Sequence, residues 1–306
     1  MNGVATAPGA GTVLNALATG RGSAFAIDVE TTATVELSAD AATVTGEIAG
    51  APDADTRLIE RCVECVVDRF GDGEGGTVAT DSEVPMAAGL KSSSAAANAT
   101  VLATLDALGV DTVSGDGVAD GDRATDADDL AAGDAITKLD ACRIGVGAAR
   151  DVGVTITGAF DDAAASMLGG VVVTDNTADE LLAHESRMWD VLVWTPPERA
   201  YSADADVDRC GNVAEMADLV AELALDGRFG EAMTVNGLAY SAALDFDTDP
   251  AVEAMPHCHG VSLSGTGPSV VAVGDRDSLA TVRERWAARD GTLIETTTRQ
   301  TGATIQ

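Results

Sequence analysis

The chain has 306 residues, with 18 basic against 50 acidic side chains, a formal charge of −32, and 46% hydrophobic residues. This charge excludes general binding to nucleic acids or to anionic membranes, because both need a positive protein surface. The hydrophobic content is too high for a disordered chain. We therefore expect the acids to coat a globule that is soluble in very high salt, as in a halophilic cytoplasm, and the length favours two domains.

The cysteines and the start of the chain bear on its compartment. The five cysteines are an odd number, and the N-terminus shows no basic segment followed by an apolar one. We expect reduced thiols, a cytoplasmic protein and no membrane span. Cys62 and Cys65 have C-x-x-C spacing, but no second pair follows at metal spacing. Two buried thiols are therefore favoured over a redox or zinc site.

The first half of the chain alternates strand and helix patterns. Predicted in chain order are a strand at 4–7, a turn at 8–12, a helix at 12–18, a strand at 24–38 with a hairpin partner at 43–48, a helix at 55–70, a strand at 77–80, a helix at 95–108, an acidic loop at 111–129 and a helix at 130–149.

The second half mixes short strands with amphipathic helices. Predicted in order are a strand at 152–162 that ends in two carboxylates, a helix at 163–168, strands at 171–174 and 190–195, helices at 212–226, 229–244 and 250–255, strands at 261–264 and 269–273, a helix at 277–288 and a strand at 292–297. This order predicts an α+β fold.

The most informative stretch leads from a proline turn through small residues and hydroxyls into a predicted helix. Its members are Pro85, Met86, Ala87, Ala88, Gly89, Leu90, Lys91, Ser92, Ser93, Ser94 and Ala95. Gly89 lets a ligand approach the backbone, and the first N–H groups of the helix favour an anion. Lys91 is one of only two lysines, against 16 arginines. A phosphate cradle and an ordinary capped helix both fit this stretch.

Three other features could take part in chemistry. Asp161 and Asp162 could take a proton from a hydroxyl or hold magnesium, or simply cap a helix. The turn around Gly265 and Gly267 could expose N–H groups or only connect two strands. Arg21, in a glycine-rich turn, is either a surface charge or a group that binds a carboxylate. A metal at residues 257–259 is disfavoured, because adjacent residues rarely converge on one ion.

Taken together, these segments resemble the GHMP kinase superfamily. Five motifs carry the resemblance in order: residues 11–16, 20–25, 85–97, 155–163 and 263–268. The similarity is greatest to the family of archaeal shikimate kinases and covers nearly the whole chain. It implies a two-domain α+β fold with a ribosomal-protein-like N-terminal domain at 1–158 and a ferredoxin-like C-terminal domain at 159–306. It also implies ATP-dependent phosphorylation of shikimate on its 3-hydroxyl, in aromatic amino-acid synthesis.

The resemblance implies roles for individual residues. The loop from Pro85 to Ala95 would hold ATP, and Ser93 would approach Mg²⁺. Asp162 would be the catalytic carboxylate, with Asp161 as the near alternative, and Lys91, which replaces a glycine of the commoner motif, would stabilise the phosphates. Asp151 is a second metal ligand by spacing only. The residues expected at the substrate are Asn15, Arg21, Ser23, Asp161, Gly265, Thr266 and Gly267, with Arg21 on the shikimate carboxylate.

Two alternatives remain open at this point. A related kinase for homoserine, mevalonate or pantoate would keep the nucleotide loop and change only the acceptor pocket. A non-catalytic nucleotide-binding protein would keep the fold with a degenerate site. The expected partners are small molecules only, in a monomer or a homodimer.

Overall fold

The computed structural model describes residues 1–84, 89–113, 135–155, 157–197 and 206–306. The strands are β1 (Asn2–Leu14), β2 (Arg21–Ser38), β3 (Val44–Ile48), β4 (Gly75–Ser82), β5 (Thr112–Val113), β6 (Ile136–Thr137), β7 (Val171–Asp175), β8 (Glu180–Glu185), β9 (Asp190–Thr195), β10 (Gly260–Leu263), β11 (Val270–Gly274), β12 (Thr292–Thr297) and β13 (Thr304–Ile305). The helices are α1 (Arg57–Phe70), α2 (Ser92–Leu108), α3 (Lys138–Asp151), α4 (Phe160–Leu168), α5 (Val207–Cys210), α6 (Ala214–Leu225), α7 (Phe229–Leu244), α8 (Asp249–Ala254) and α9 (Arg276–Ala287).

The first sheet has seven strands and is built around β2. Its main path runs β13-β1-β2-β4-β3, and β7 pairs with the start of β2 and carries β8 on its other side. Because β2 is 18 residues long, its two halves hold different partners: β7 along residues 21–25 and β4 along residues 31–38. β3 and β4 are parallel, with α1 as their crossover, and the other pairs are antiparallel.

Helix α2 packs across β1 and β2 and is buried along most of its length. Small residues make this close packing possible: a Cβ added at Gly3 would overlap the carbonyl oxygen of Ala103. Helices α1, α3 and α4 pack around α2. A helix enclosed on all sides needs no polar face, which explains its run of Ala, Val and Leu. Its axis is therefore fixed relative to α4, which carries the paired carboxylates.

The second sheet has four antiparallel strands in the order β10-β11-β9-β12. Successive residues of a strand face opposite sides of a sheet. Val191 and Val193 accordingly pack with α6, α7 and the ends of β1 and β2, whereas Leu192 packs with α8 and α9. Helices α6 and α7 therefore lie between the two sheets.

Most of the predicted elements are confirmed, including the α+β class. The predictions of α7, β9 and β12 agree with the structure at both ends, and the long strand, α1 and α2 are found with small shifts of their bounds. Strands β8 and β13 were not predicted from the sequence. The predicted acidic loop and the start of the helix after it fall largely on residues 114–134, outside the described residues.

Three local predictions are wrong. Residues 8–12 are not a turn and residues 12–18 are not a helix, because β1 continues to Leu14 with register shifts near its glycines, and a Cβ at Gly11 would strike the Phe25 ring. Residues 43–48 are not a hairpin partner of β2, because the α1 crossover makes β3 parallel to β4. The described residues of 152–159 are not a strand, because Gly153, Gly158 and Ala159 have positive φ.

The predicted domain boundary between residues 158 and 159 does not coincide with the division between the sheets. Helix α4 packs on β1 and β2, β7 and β8 extend the first sheet, and β13 returns to it from the C-terminus. The start of β2 would otherwise present an unpaired edge, which β7 covers. The first sheet and the helices packed on it thus contain residues from both predicted domains.

Two further findings concern cysteines and membranes. All five cysteines are free thiols, and burial raises the pKa of Cys62 and Cys142, so neither is a reactive thiolate. Within the ranges that the structure describes, none of the helices has the length and apolar character to cross a bilayer.

Candidate functional site

A cavity of about 210 Å³ is bordered by both the predicted phosphate loop and the predicted pair of carboxylates, Asp161 and Asp162. The N-terminus of α2, Thr155, the residues from Thr157 to Ala159, the first turn of α4 and the Gly265–Thr266 turn all border it. One wall is apolar, with Leu58, Ala97, Val146 and Ala149, and the other carries hydroxyls, amides and carboxylates. A site with one apolar and one polar wall suits a ligand that has both a ring and charged groups.

The α2 terminus offers free backbone donors to this cavity. Lys91 is the N-cap residue, has φ 66°, and provides no side-chain cap. The N–H groups of Ser92, Ser93 and Ser94 have no partner among the described residues, and the Ser93 side chain is exposed. Unsatisfied N–H groups at the positive end of a 17-residue helix form an anion site. Ser92 to Ala95 thus form the helix's first turn, as the resemblance implies for a phosphate loop.

The loop before α2 is fixed by contacts with the turn after β10 and with β1. Gly89 has φ 72°, and a Cβ there would overlap the Ser264 carbonyl oxygen. Ser264 Oγ donates to the Gly89 carbonyl at 2.8 Å, and the Ala10 N–H donates to the Leu90 carbonyl at 3.2 Å. The glycine is therefore required by both its conformation and its surroundings. Pro85, Met86, Ala87 and Ala88 lie outside the described residues.

The Gly265 turn is held by polar side chains from β1 and the residue after it. Gly265 donates its N–H to Thr12 Oγ1 at 2.8 Å, and Asn15 Nδ2 donates to the Gly265 carbonyl at 2.8 Å. Asn15 Oδ1 accepts the Leu17 N–H, so this side chain joins the two motifs. Gly265 and Thr266 border the cavity, as does Asn15. Gly267 is not among the bordering residues, and a Cβ there would strike the Phe246 ring.

Asp162 borders the cavity and forms an ion pair with Lys91. Lys91 Nζ donates to Asp162 Oδ2 at 2.8 Å, and both side chains are about nine-tenths buried. The other oxygen, Oδ1, is buried without a hydrogen-bond partner among the described residues. Burial and the neighbouring charge of Asp161 raise the pKa of Asp162 to about 7, although Lys91 lowers it. A carboxylate with one free oxygen and a pKa near neutrality suits a general base.

Asp161 also borders the cavity but is held differently. Its Oδ1 accepts a hydrogen bond from Asn176 Nδ2 at 2.7 Å, and its N–H donates to Asn176 Oδ1 at 3.1 Å. Its carboxyl group lies against Gly22, where an added Cβ would come within 2.5 Å of Asp161 Cγ. Of the two candidate carboxylates, only Asp162 therefore has a buried oxygen that lacks a hydrogen-bond partner among the described residues.

The cavity is not bordered by the predicted site residues Arg21, Ser23 and Asp151, nor by Leu90, Ala95 and Gly267. Arg21 is exposed, because the next residue of β2, Gly22, faces Asp161 and successive residues of a strand point to opposite sides. Ser23 is fully buried and donates its hydroxyl to the Val172 carbonyl at 2.7 Å. Asp151 ends α3 and pairs with Arg61 at 2.9 Å. Asp151 was placed by its spacing along the chain and Arg21 by its chemistry, and neither argument reports which side of an element faces the site.

Other residues at the site were not found from the sequence. The apolar wall comes from α1, α2 and α3, whose buried residues carry no motif. Thr155 and Thr157 border the cavity inside the segment mistaken for a strand. Asn176 follows β7 and contacts Asp161 across 15 positions of the chain. Among the described residues there is no group of three or more His, Cys, Asp or Glu that could hold a metal.

Known proteins resemble this chain in sequence along nearly its whole length. Residues 57–120 match the N-terminal domain of GHMP kinases, and residues 220–291 match the C-terminal domain. The chain is 61% identical over 303 residues to shikimate kinase of Halobacterium salinarum, covering 99% of both chains. It is 46% identical over 307 residues to shikimate kinase of Methanosarcina mazei, covering 99% of this chain and 96% of that one.

The solved structures with similar folds are more distant in sequence. Homoserine kinase of Cytophaga hutchinsonii superposes with a TM-score of 0.72 at 14% identity, covering 100% of this chain and 97% of that one. Mevalonate kinase of Methanococcus jannaschii has a TM-score of 0.66 at 12% identity, covering 97% and 98%. These likenesses concern the fold alone. The chain belongs to the GHMP kinase family, and within it to the family of the archaeal shikimate kinases.

Proposed function

We propose that this protein is a kinase that transfers the γ-phosphoryl group of ATP to the 3-hydroxyl of shikimate. One observation carries the chemistry: Asp162, whose buried Oδ1 has no hydrogen-bond partner among the described residues, and the uncapped N-terminus of α2 border the same cavity. A hydroxyl beside that oxygen would lie next to a phosphate held by the helix. The full-length identity to shikimate kinases supports shikimate as the acceptor.

The described residues fit ATP with a magnesium ion. The first-turn amides of α2 lack partners, and the apolar wall next to them would accept a purine ring. The exposed Ser93 hydroxyl would hold Mg²⁺ together with phosphate oxygens, an arrangement that suits an ion which keeps few protein ligands. When bound, the ion would neutralise charge on the phosphates.

The chain's own residues supply the proton acceptor and fixed charge. Asp162 Oδ1 would take the proton of the acceptor hydroxyl, whose oxygen then bonds to the γ-phosphorus as the bond to the ADP oxygen breaks. Most of the rate would come from positioning and charge neutralisation, as in other phosphoryl transfers. Lys91 would contribute positive charge at the γ-phosphate while keeping Asp162 ionised. Burial of both groups strengthens these interactions by excluding water.

The shikimate carboxylate is not assigned to Arg21, whose side chain is exposed away from the cavity. Polar groups bordering the cavity that could meet the acceptor are Asn15, Thr155, Thr157 and Thr266. We also propose that the acidic surface is an adaptation to high salt. A monomer or homodimer stays a prediction that light scattering can test.

An acceptor screen tests the function directly. Purified protein in molar KCl would be given ATP and MgCl₂ with shikimate, homoserine, mevalonate or pantoate in turn, and products would be identified by phosphorus NMR, which needs no salt-sensitive coupling enzyme. We expect a phosphate monoester from shikimate alone. Turnover of another acceptor without turnover of shikimate would refute the assignment, and ATP binding without any turnover would indicate a non-catalytic protein.

A further inference from the structure

Two adjacent buried carboxylates stand in the first turn of α4, yet only Asp162 pairs with Lys91. We propose that Asn176 is a positioning residue that clasps Asp161 and so fixes the rotation of α4 that aims Asp162 at the acceptor hydroxyl. This inference rests on the proposed function. It assigns the two carboxylates different roles: Asp161 positions the helix, and Asp162 accepts the proton.

The clasp is a pair of hydrogen bonds between one side chain and one residue. Asn176 Nδ2 donates to Asp161 Oδ1 at 2.7 Å, and Asn176 Oδ1 accepts the Asp161 N–H at 3.1 Å. Both residues are at least 96% buried, so no water competes for these bonds. Two bonds to one residue restrict its rotation as well as its distance.

The orientation of the Asn176 amide is itself determined. The Asp161 N–H can only donate and so requires the amide oxygen, Oδ1, opposite it, and Thr174 Oγ1 also donates to Asn176 Oδ1 at 2.8 Å. The amide nitrogen is therefore left for the carboxylate of Asp161, which accepts only. The Asn176 backbone is anchored too, because its N–H donates to the Gly20 carbonyl at 2.8 Å. Asn176 is thus fixed before it meets α4.

Helix α4 needs such an external support. Its N-cap residue is Ala159, which has no side chain to cap the helix and has φ 49°, and Gly158 before it has φ 85°. An alanine in the left-handed region is strained. The N–H of Asp161, a first-turn group that a capping side chain normally accepts, is accepted by Asn176 instead. Asn176 therefore acts as the cap of α4 from a different part of the chain.

Gly22 closes the other side of Asp161. A Cβ built on Gly22 would lie 2.6 Å from Asp161 Oδ2, so the carboxyl group fills the space that a larger residue would take. Rotating a helix by about 25° moves its Cα atoms by about 1 Å. A displacement of that size at a reacting group can cost about 100-fold in rate. Gly22 and Asn176 together thus hold α4 within the tolerance that catalysis needs.

Asn176→Asp tests the clasp with almost no change in shape. It replaces the donor with an acceptor and sets two carboxylates against each other, so we expect kcat to fall about 100-fold with KM for ATP within about twofold. Asn212→Asp, at an exposed position that does not border the cavity, makes the same charge change and should leave both parameters unchanged. An unchanged kcat in Asn176→Asp would overturn the inference.

The exchange variant Asp161→Asn/Asn176→Asp separates positioning from chemistry. It swaps donor and acceptor, so both clasp bonds can form again, and we expect kcat to recover at least about tenfold over Asn176→Asp. If Asp161 were a catalytic or metal-binding group, moving its charge to position 176 would leave the enzyme inactive. No recovery, with wild-type melting and ATP binding, would overturn the inference.

A milder variant guards against misfolding of the others. Thr174→Val removes the hydroxyl that supports Asn176 Oδ1 and that also lies 3.4 Å from the Gly22 carbonyl, and we expect kcat to fall about threefold to tenfold with unchanged KM for ATP. A kcat equal to that of the wild type would overturn the inference. Each variant's kcat is divided by that of the wild type, measured with the acceptor that the wild type uses. An error in the shikimate assignment therefore appears in the wild-type measurement, whereas an error in the role of Asn176 appears only in the variants.

Discussion

The ion pair between Lys91 and Asp162 makes a prediction about pH. The two groups are 2.8 Å apart and nearly buried, which at an effective dielectric constant of about 20 gives an attraction of roughly 6 kcal/mol. Lys91→Met removes this attraction while keeping most of the side-chain volume. A buried carboxylate without a partner takes up a proton rather than remain charged. The pKa of Asp162, already about 7 in the presence of Lys91, therefore rises further.

The size of the effect follows from the ionised fraction. With a pKa of about 7, half of the Asp162 carboxyls are ionised at pH 7. Losing only half of that attraction, about 3 kcal/mol, raises the pKa by about two units and leaves roughly one in a hundred ionised. We therefore expect kcat/KM for shikimate at pH 7 to fall about 50-fold from this cause alone. Loss of the phosphate contact adds a further decrease that does not depend on pH.

The assay is the pH profile of kcat/KM for shikimate at constant molar KCl. The wild-type profile should rise with pH and level off above about pH 7, and the Lys91→Met profile should continue to rise into the alkaline range. Lys91→Arg keeps the charge and should keep the wild-type inflection. Lys138→Met is the matched control, because Lys138 Nζ donates to the Ala303 carbonyl away from the cavity. A Lys91→Met inflection at the wild-type pH would refute the reasoning.

The remaining predictions concern stability, metal and salt. The folded pKa of Asp162 lies above the ordinary value of 3.8, so the free energy of unfolding of the wild type falls as the pH rises from about 4 to 7. The double variant Lys91→Met/Asp162→Asn lacks this titration, so its free energy of unfolding should rise by roughly 4 kcal/mol relative to that of the wild type over this range. Chemical denaturation at each pH would measure the difference. Ser93→Ala should raise the Mg²⁺ concentration for half-maximal rate at least about tenfold, with Ser92→Ala as control, and equal Mg²⁺ curves would remove Ser93 from that role. The melting temperature should rise steeply from dilute to molar KCl, and a salt-independent melting curve would contradict the adaptation proposed for the acidic surface.

The parts of the site that the sequence predicted are those encoded by local chemistry. Although the helix begins at Ser92 rather than at Ala95 and has no side-chain cap, Gly89 forms a turn before it, as the neighbouring residues predicted. The same holds for the Gly265 turn. The long strand and α1 were predictable because their periodicities extend over many residues.

The parts that could not be predicted depend on contacts between distant residues. The different surroundings of the two carboxylates depend on such contacts: Asp161 pairs with Asn176, 15 positions away, and Asp162 pairs with Lys91, 71 positions away. Arg21 was placed at the substrate because arginine suits a carboxylate, but Gly22 takes the inward position of β2. The glycines of β1 indicated a turn, whereas they accommodate neighbouring residues such as Phe25.

The central claim is that Asp162 takes the acceptor proton while the helix terminus holds the nucleotide. The most direct test compares Asp162→Asn with the wild type in two measurements on the same preparation: shikimate-dependent ADP formation and ATP affinity by calorimetry. We expect turnover to fall by about 100-fold or more with the dissociation constant of ATP within about twofold of the wild type. Wild-type turnover in Asp162→Asn would contradict the account.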